Sequence, residues 1–447
     1  MNPVGIFLKP RRITADWLIW SLLAAACLIS YFRFPEFLND EDHIWIVEDI
    51  ARSGDWPHVL QWRSAQHCLV YHSLSAYSWR MLSWTGFRAG RVAQGVNVVC
   101  FLGLAWYLSA FLRRIGVEGK ARFLSLIVFA SSTRWVTMSV TVDNDTLMAL
   151  PANLALGYMV VVMGKKEKPT LGITILIALM VGCAAAIKHN GIQFFLPVAA
   201  CFIARHWYYG DRPVFILSRL IWAGAVVAVA ACPIYFRHWA DTGSIVHHDQ
   251  GFHQDNWSGD RWEMFSFRYA SILSRPFIPY SEDFGDERIC PADLSWPSKL
   301  YMNWWSLPDQ LPDRPNSMAT RLIFITALPV SLLLLGALVF SLLNSINDPR
   351  RLALIGWAVT VFGFLFLASI FFPEPRWACH TYPRHCLGAA GALLGCLGLF
   401  FNDLLRKGKT VQIILTTVVL FHLAAFWVLL LSGPFYGLEN PWPHYKL

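Results

Sequence analysis

Several runs of this chain, at residues 18–31, 322–343, 352–372 and 411–431, approach or reach the roughly 20 apolar residues that a helix needs to cross a bilayer. Segments of that length are too long for core strands and leave few other folds open. Of the 447 residues, 55% are hydrophobic and 15% charged, a balance more apolar than that of soluble domains. A water-soluble fold would have nowhere to bury so much apolar surface. The expected fold class is therefore an all-α polytopic membrane protein.

At this length scale the sequence gives about eleven spans: 15–34, 92–112, 123–140, 146–163, 171–187, 191–204, 214–236, 320–343, 352–372, 385–401 and 411–431. The segment at 191–204 is the shortest. Lys9, Arg11 and Arg12 precede the first run like a signal-peptide n-region, but no small-residue cleavage site follows, so the run reads as a retained anchor.

The formal charge of +8 does not point to nucleic acid, because Lys and Arg form short clusters between apolar runs. Threaded from a cytoplasmic N-terminus, Arg113, Arg114, Lys120, Arg122, Lys165, Lys166, Lys168, Arg205, Arg212, Arg350, Arg351, Arg406, Lys407 and Lys409 all fall inside, as the positive-inside rule requires. That threading puts the C-terminus outside. It also puts outside the loop 35–91, the turns at Asp143 and Lys188, the loop 237–319 and the segment 373–384.

Three divisions follow: an N-terminal membrane module at 1–236 that includes the outer loop 35–91, a large outer loop at 237–319 after the seventh span, and C-terminal spans with an outer tail at 320–447. Within the first loop, Ile44, Trp45, Val47, Ile50 and Ala51, then Leu69, Val70, Leu74 and Tyr77, recur at helical spacing. Two amphipathic helices lying in the interface account for that pattern. Trp257, Trp262, Trp296, Trp304 and Trp305 of the second loop suit either an interfacial aromatic belt or a wall for sugar or lipid.

The chemistry-bearing residues collect on the outer side. Asp40, Glu41 and His43 follow the first span, where neighbouring carboxylates favour a proton acceptor or a cation site, and equally a helix N-terminus. Asp143 and Asp145 can orient a hydroxyl or share a divalent ion, or Asp145 can cap the next span. Lys188, in a tight outer turn against the charge rule, can hold a lipid phosphate or snorkel. Arg376, His380 and Arg384 form a further outer basic group, whereas His247, His248, Asp249 and His253 lack a recognised metal spacing. Cys68, Cys290, Cys379 and Cys386 lie in or beside outer loops, so a disulfide is open, with its pairing unreadable.

The order of these motifs resembles the GT-C membrane glycosyltransferases, particularly the protein O-mannosyltransferases and lipid A aminoarabinose transferases. The resemblance is carried by Asp40-Glu41, by Ser53-Gly54-Asp55-Trp56, by His67-Cys68-Leu69-Val70-Tyr71, by Asp143 and Asp145, and by the turn from Lys188 to Gly191. It covers the N-terminal half; the two prolines expected after His67 are absent, and His43 stands where a relative can carry arginine.

What the resemblance implies is inverting transfer of a sugar from a polyprenyl-phosphate donor to an acceptor hydroxyl of a glycan, lipid or protein, at the outer interface among membrane lipids. Asp40 or Glu41 would be the base. Asp143, Asp145, His43 and His67 would position the acceptor, or the two aspartates a divalent metal ion, which the family does not make obligatory. Lys188, with Arg376 or Arg384, would hold the lipid phosphate. The corresponding location is a bacterial inner membrane with a periplasmic active face. A transporter or flippase of lipid-linked glycans, or a non-catalytic subunit of a glycan-assembly complex, are the competing classes; the absence of charge at span centres argues against the transporter.

Overall fold

The computed structural model describes residues 14–34, 41–61, 65, 69–117, 119–244, 300–301, 304–305, 318–371 and 383–432. Every regular element among them is helical. Helix α1 (Thr14–Arg33) is followed by α2 (Glu41–Ser53), α3 (Val70–Met81) and α4 (Ala89–Arg114). A broken pair, α5 (Gly119–Ala130) and α6 (Thr133–Met138), leads to α7 (Asp145–Met163) and α8 (Leu171–Ile187). A 3-10 turn at His189–Phe194 opens α9 (Phe195–Tyr209), and α10 (Pro213–Thr242) follows. The remaining elements are α11 (Met318–Asn344), α12 (Pro349–Phe371), a 3-10 turn at Pro383–Ala389, α13 (Ala390–Leu405) and α14 (Lys409–Ser432).

Seven helices among the described residues are long and apolar enough to cross a membrane, and α1 and α8 contribute shorter apolar stretches at Trp17–Arg33 and Leu171–Ile187. Two of the spans expected from sequence are not continuous helices. The segment 123–140 breaks after Ala130, where the Ser131 hydroxyl donates to Ile127 O at 2.8 Å and Ser132 turns extended. Serine hydroxyls compete in this way for helix carbonyls. The segment 191–204 begins as a 3-10 turn, and only its second part is α-helical.

One buried apolar cluster joins α1, α4 and α5 to helices on both sides of residues 237–319, so the N- and C-terminal spans share a core. Of the seven long apolar helices, α7 and α13 are the most enclosed and α10 the least. At their contact, Asn153 donates to Leu387 O at 3.0 Å and accepts from the Gly391 N–H at 2.6 Å. A Cβ at Gly391 would lie 2.8 Å from that amide oxygen, so the bond depends on glycine.

The basic clusters share one end of the bundle. Fully buried Arg205 uses all of its N–H groups there: Nε donates to Asp211 at 2.7 Å, Nη1 to Val162 O and Lys165 O, and Nη2 to Lys166 O and Glu167 O. These carbonyls close α7 and the turn after it, which otherwise lack helical partners. Tyr208 bonds Ser345 O at 2.6 Å and Asn402 bonds Gly116 O at 2.9 Å, tying further helix ends together.

At the opposite end, cations off the expected side are used as caps. Arg33 of α1 donates to Leu430 O and Leu431 O at the end of α14, and Arg91 to Tyr31 O and Phe34 O at the end of α1. A guanidinium at a helix C-terminus complements the dipole and its unpaired carbonyls.

Candidate active site

The turn between α6 and α7 is built from polar residues that the fold takes out of water. Asn97 of α4 donates to Thr141 O at 2.6 Å and Asp143 O at 2.9 Å, holding the turn against α4. Asp143 accepts from the Thr141 hydroxyl at 3.0 Å and from the Asp145 N–H at 2.9 Å. Asn144, not Asp145, is the N-cap of α7; its side chain makes no cap bond and instead donates to Ile187 O of α8 at 3.2 Å. Asp145 thus becomes the first helical residue, at the positive end of α7.

Lys188 is the C-cap of α8, with an extended backbone, and its ammonium donates to Asp145 Oδ1 at 2.7 Å. Asp145 is fully buried and the Lys188 side chain 9% exposed, so this is a buried ion pair. The turn that presents Lys188 requires Gly191, whose N–H bonds Lys188 O at 2.8 Å. A Cβ at Gly191 would stand 2.2 Å from the backbone carbon of Ala184, a distance no side chain can occupy.

The amphipathic helices close over this turn. Ile44, Ile46, Val47 and Ile50 of α2 bury their side chains with Tyr71 of α3, Ala93 of α4 and Val142, the neighbour of Asp143. Helix α3 turns its apolar stripe, Leu74, Tyr77 and Met81, outward and buries His72 and Ser75, as suits a helix lying in an interface. Tyr71 donates to Ala93 O at 3.0 Å; burial first, and then the negative charge of Asp143, push its phenol well above the usual tyrosine range.

His43 of α2 meets His72 of α3 in a buried contact, Nδ1 to Nε2, of 2.7 Å. One nitrogen must be bare for such a bond, so it survives with both rings neutral or one charged and is lost when both are protonated. His72→Ala leaves His43 without this partner and should destabilise the chain by about 1–3 kcal/mol, read as a lowered thermal unfolding midpoint in detergent. An unchanged midpoint would show that the pair does not join α2 to α3.

The stretch after α2 is pinned by α10. Arg237 donates to Ala65 O at 2.8 Å and to Pro57 O, while Asp241 accepts the Val59 N–H at 3.0 Å. Trp56 of the Gly-Asp-Trp motif donates to Ser73 of α3 at 2.8 Å and lies under the Arg237 guanidinium. His189, next to Lys188, packs edge-on against His238 of α10 at 5.7 Å between ring centroids.

Thus Asp143, Asp145, Lys188 and His43 fall at one end of the bundle. Glu41 opens α2, but its side chain lies outside the described residues, as do Asp40, His67 and Arg376 entirely. Arg384 lies in the 3-10 turn Pro383–Ala389, which packs on α6 and α7; its side chain is likewise outside. Outside too are His247, His248, Asp249, His253, His380, Trp257, Trp262, Trp296, Cys68, Cys290 and Cys379.

Cys386 is a free, buried thiol. Trp304 and Trp305 form neither belt nor wall: both are buried, Trp304 against Trp135 and Phe362, and Trp305 against His422 and bonded to Ser331. Residues that the motifs did not mark are His72, Asn97, His238 and buried Arg134 of α6. Arg134 alone had a signal, a cation inside an apolar run.

No group of three or more His, Cys, Asp or Glu side chains suited to a metal ion occurs among the described residues. As arranged, each Asp143 oxygen accepts one hydrogen bond and Asp145 Oδ1 holds the Lys188 ammonium.

No protein-family model matches the chain, and no curated protein matches it in sequence. Among solved structures, the oligosaccharyltransferase AglB from Archaeoglobus fulgidus, in complex with an inhibitory peptide and a dolichol-phosphate, aligns over 93% of this chain and 56% of its own, with 11% identity and a TM-score of 0.54. The apo form of the Archaeoglobus fulgidus oligosaccharyltransferase aligns over 94% of this chain and 55% of its own, with 13% identity and a TM-score of 0.51. ArnT from Cupriavidus metallidurans aligns over 86% of this chain and 78% of its own, with 15% identity and a TM-score of 0.40. The chain spans about half the length of the oligosaccharyltransferases it matches, and nearly all of it lies within their fold.

Proposed function

We propose, for a chain with the GT-C fold, that it is a membrane glycosyltransferase that takes a sugar from a polyprenyl-phosphate-linked donor and transfers it to an acceptor hydroxyl at the membrane–water interface. The observation that carries this reading is the gathering of Asp143, Asp145, Lys188 and the start of α2 at one end of that fold, opposite the basic clusters. Polar groups at helix ends suit chemistry on a headgroup whose lipid tail lies between helices. The basic end faces the cytoplasm under the positive-inside rule, and the site faces the periplasm of a bacterial inner membrane. Solved AglB holds an inhibitory peptide and a dolichol-phosphate, which supports a polyprenyl-phosphate-linked donor and leaves a protein among the candidate acceptors beside a glycan or a lipid.

In this mechanism Asp40 or Glu41 removes the proton from the acceptor hydroxyl, which attacks the anomeric carbon with inversion while the lipid phosphate leaves. Lys188, with Arg376 or Arg384, stabilises the charge developing on that phosphate. Asp143 positions the acceptor through the buried turn, a role shared with His43 and His67, and no step is routed through a metal ion. The test is Asp40→Asn and Glu41→Gln, singly and together, assayed against a panel of polyprenyl-phosphate sugars. The double variant should lose about 100-fold or more in transfer rate, the contribution of a positioned base. Undiminished transfer would remove both carboxylates from the mechanism.

A further inference from the structure

The Asp145–Lys188 pair is built so that its two charges can part. Asp145 is the first residue of α7, where the positive helix end favours an anion, and Lys188 caps the end of α8, where the negative end favours a cation. Each group therefore keeps a compensating helix end when the other leaves. Asp145 is also held from behind, since its N–H bonds Asp143 Oδ1, and Lys188 is held by the Gly191 turn. The ammonium, by contrast, ends a flexible side chain with three donors, of which the 2.7 Å bond to Asp145 uses one.

We propose that Asp145 is a positioning residue that holds the Lys188 ammonium in the resting site and yields it to the phosphate of the lipid-linked donor. The inference rests on the transferase reading above and adds a competition: carboxylate and phosphate seek the same cation. The donor's phosphodiester matches the carboxylate in charge and terminal oxygens, whereas the polyprenyl phosphate that leaves gains a third terminal oxygen and further negative charge, so the exchange runs toward the lipid as the leaving phosphate forms. No bond is made or broken in this step; only the partner of the ammonium changes. Asp145, once it has given up the ammonium, accepts from the incoming hydroxyl.

The experiment measures binding of undecaprenyl phosphate to the purified full chain in nanodiscs, for wild type, Asp145→Asn, Lys188→Met and Lys188→Arg. Asp145→Asn removes the competitor and should tighten binding about tenfold, a gain that loss of a structural brace would not produce. Lys188→Met should weaken binding about tenfold or more, and Lys188→Arg should retain most of it.

If wild type binds the lipid phosphate and Asp145→Asn binds it equally or less tightly, the exchange is overturned while the transferase reading stands. If wild type itself does not bind, the reading beneath it fails too. Should Asp145→Asn not fold, carboxyl-13C aspartate labelling of the wild-type chain decides. The Asp145 signal should shift on adding undecaprenyl phosphate, and an unmoved signal in a lipid-bound sample overturns the proposal.

Discussion

Lys188→Met should lower the stability of the fold by about 3 kcal/mol, the low end of what is lost when one partner of a buried ion pair is removed. Asp145 is then left as a fully buried carboxylate without its 2.7 Å cation. The positive end of α7 offsets part of that cost, typically by about 0.3–1 kcal/mol, which places the expectation at the low end. The companion change Asp145→Asn, made together with Lys188→Met, should recover a large part of the loss, because no uncompensated charge remains. A double-mutant cycle by thermal unfolding in one detergent isolates the pairwise energy. Additive losses from the single changes would mean that the two groups do not stabilise each other.

A change of similar size is expected at the other end. Arg205→Met removes a guanidinium that satisfies Asp211 and four backbone carbonyls at once, and should cost about 3–5 kcal/mol. Arg205→Lys should recover little, because a compact ammonium cannot reach acceptors spread along residues 162–167 and at Asp211. Thermal unfolding of the three proteins gives the comparison. Because the proposed lipid-phosphate site lies at the opposite end of the bundle, whatever fraction of Arg205→Lys folds should bind undecaprenyl phosphate as wild type does. A lysine variant as stable as wild type would show that Arg205 contributes only its charge.

Hydropathy carried the helical, polytopic architecture, and charge asymmetry separated the two ends, because both are properties of neighbouring residues. The breaks were harder to see. The segment 123–140 is long enough to read as one span despite Arg134, and its division coincides with the Ser131 hydroxyl bonding a helix carbonyl. The acidic turn and the Lys188 turn stood out as polar residues between apolar runs. Their direct pairing across 43 positions did not, since only the packing of α7 on α8 creates it. His43 was marked by its acidic neighbours, while His72, without such neighbours, became visible only when α2 and α3 met. Arg205 looked like one more topology-setting cation; its role as a cap for α7 depends on where the turn at 162–167 folds back.

The bond from Arg33 to the Leu430 carbonyl joins residues 397 positions apart. A ribosome delivering this chain releases α1 long before α14 exists, so the first helix must wait for the carbonyls that Arg33 caps. Closure of the bundle on that side therefore has to follow synthesis of α14. A chain ending before Leu430 would lack the two α14 carbonyls that Arg33 caps.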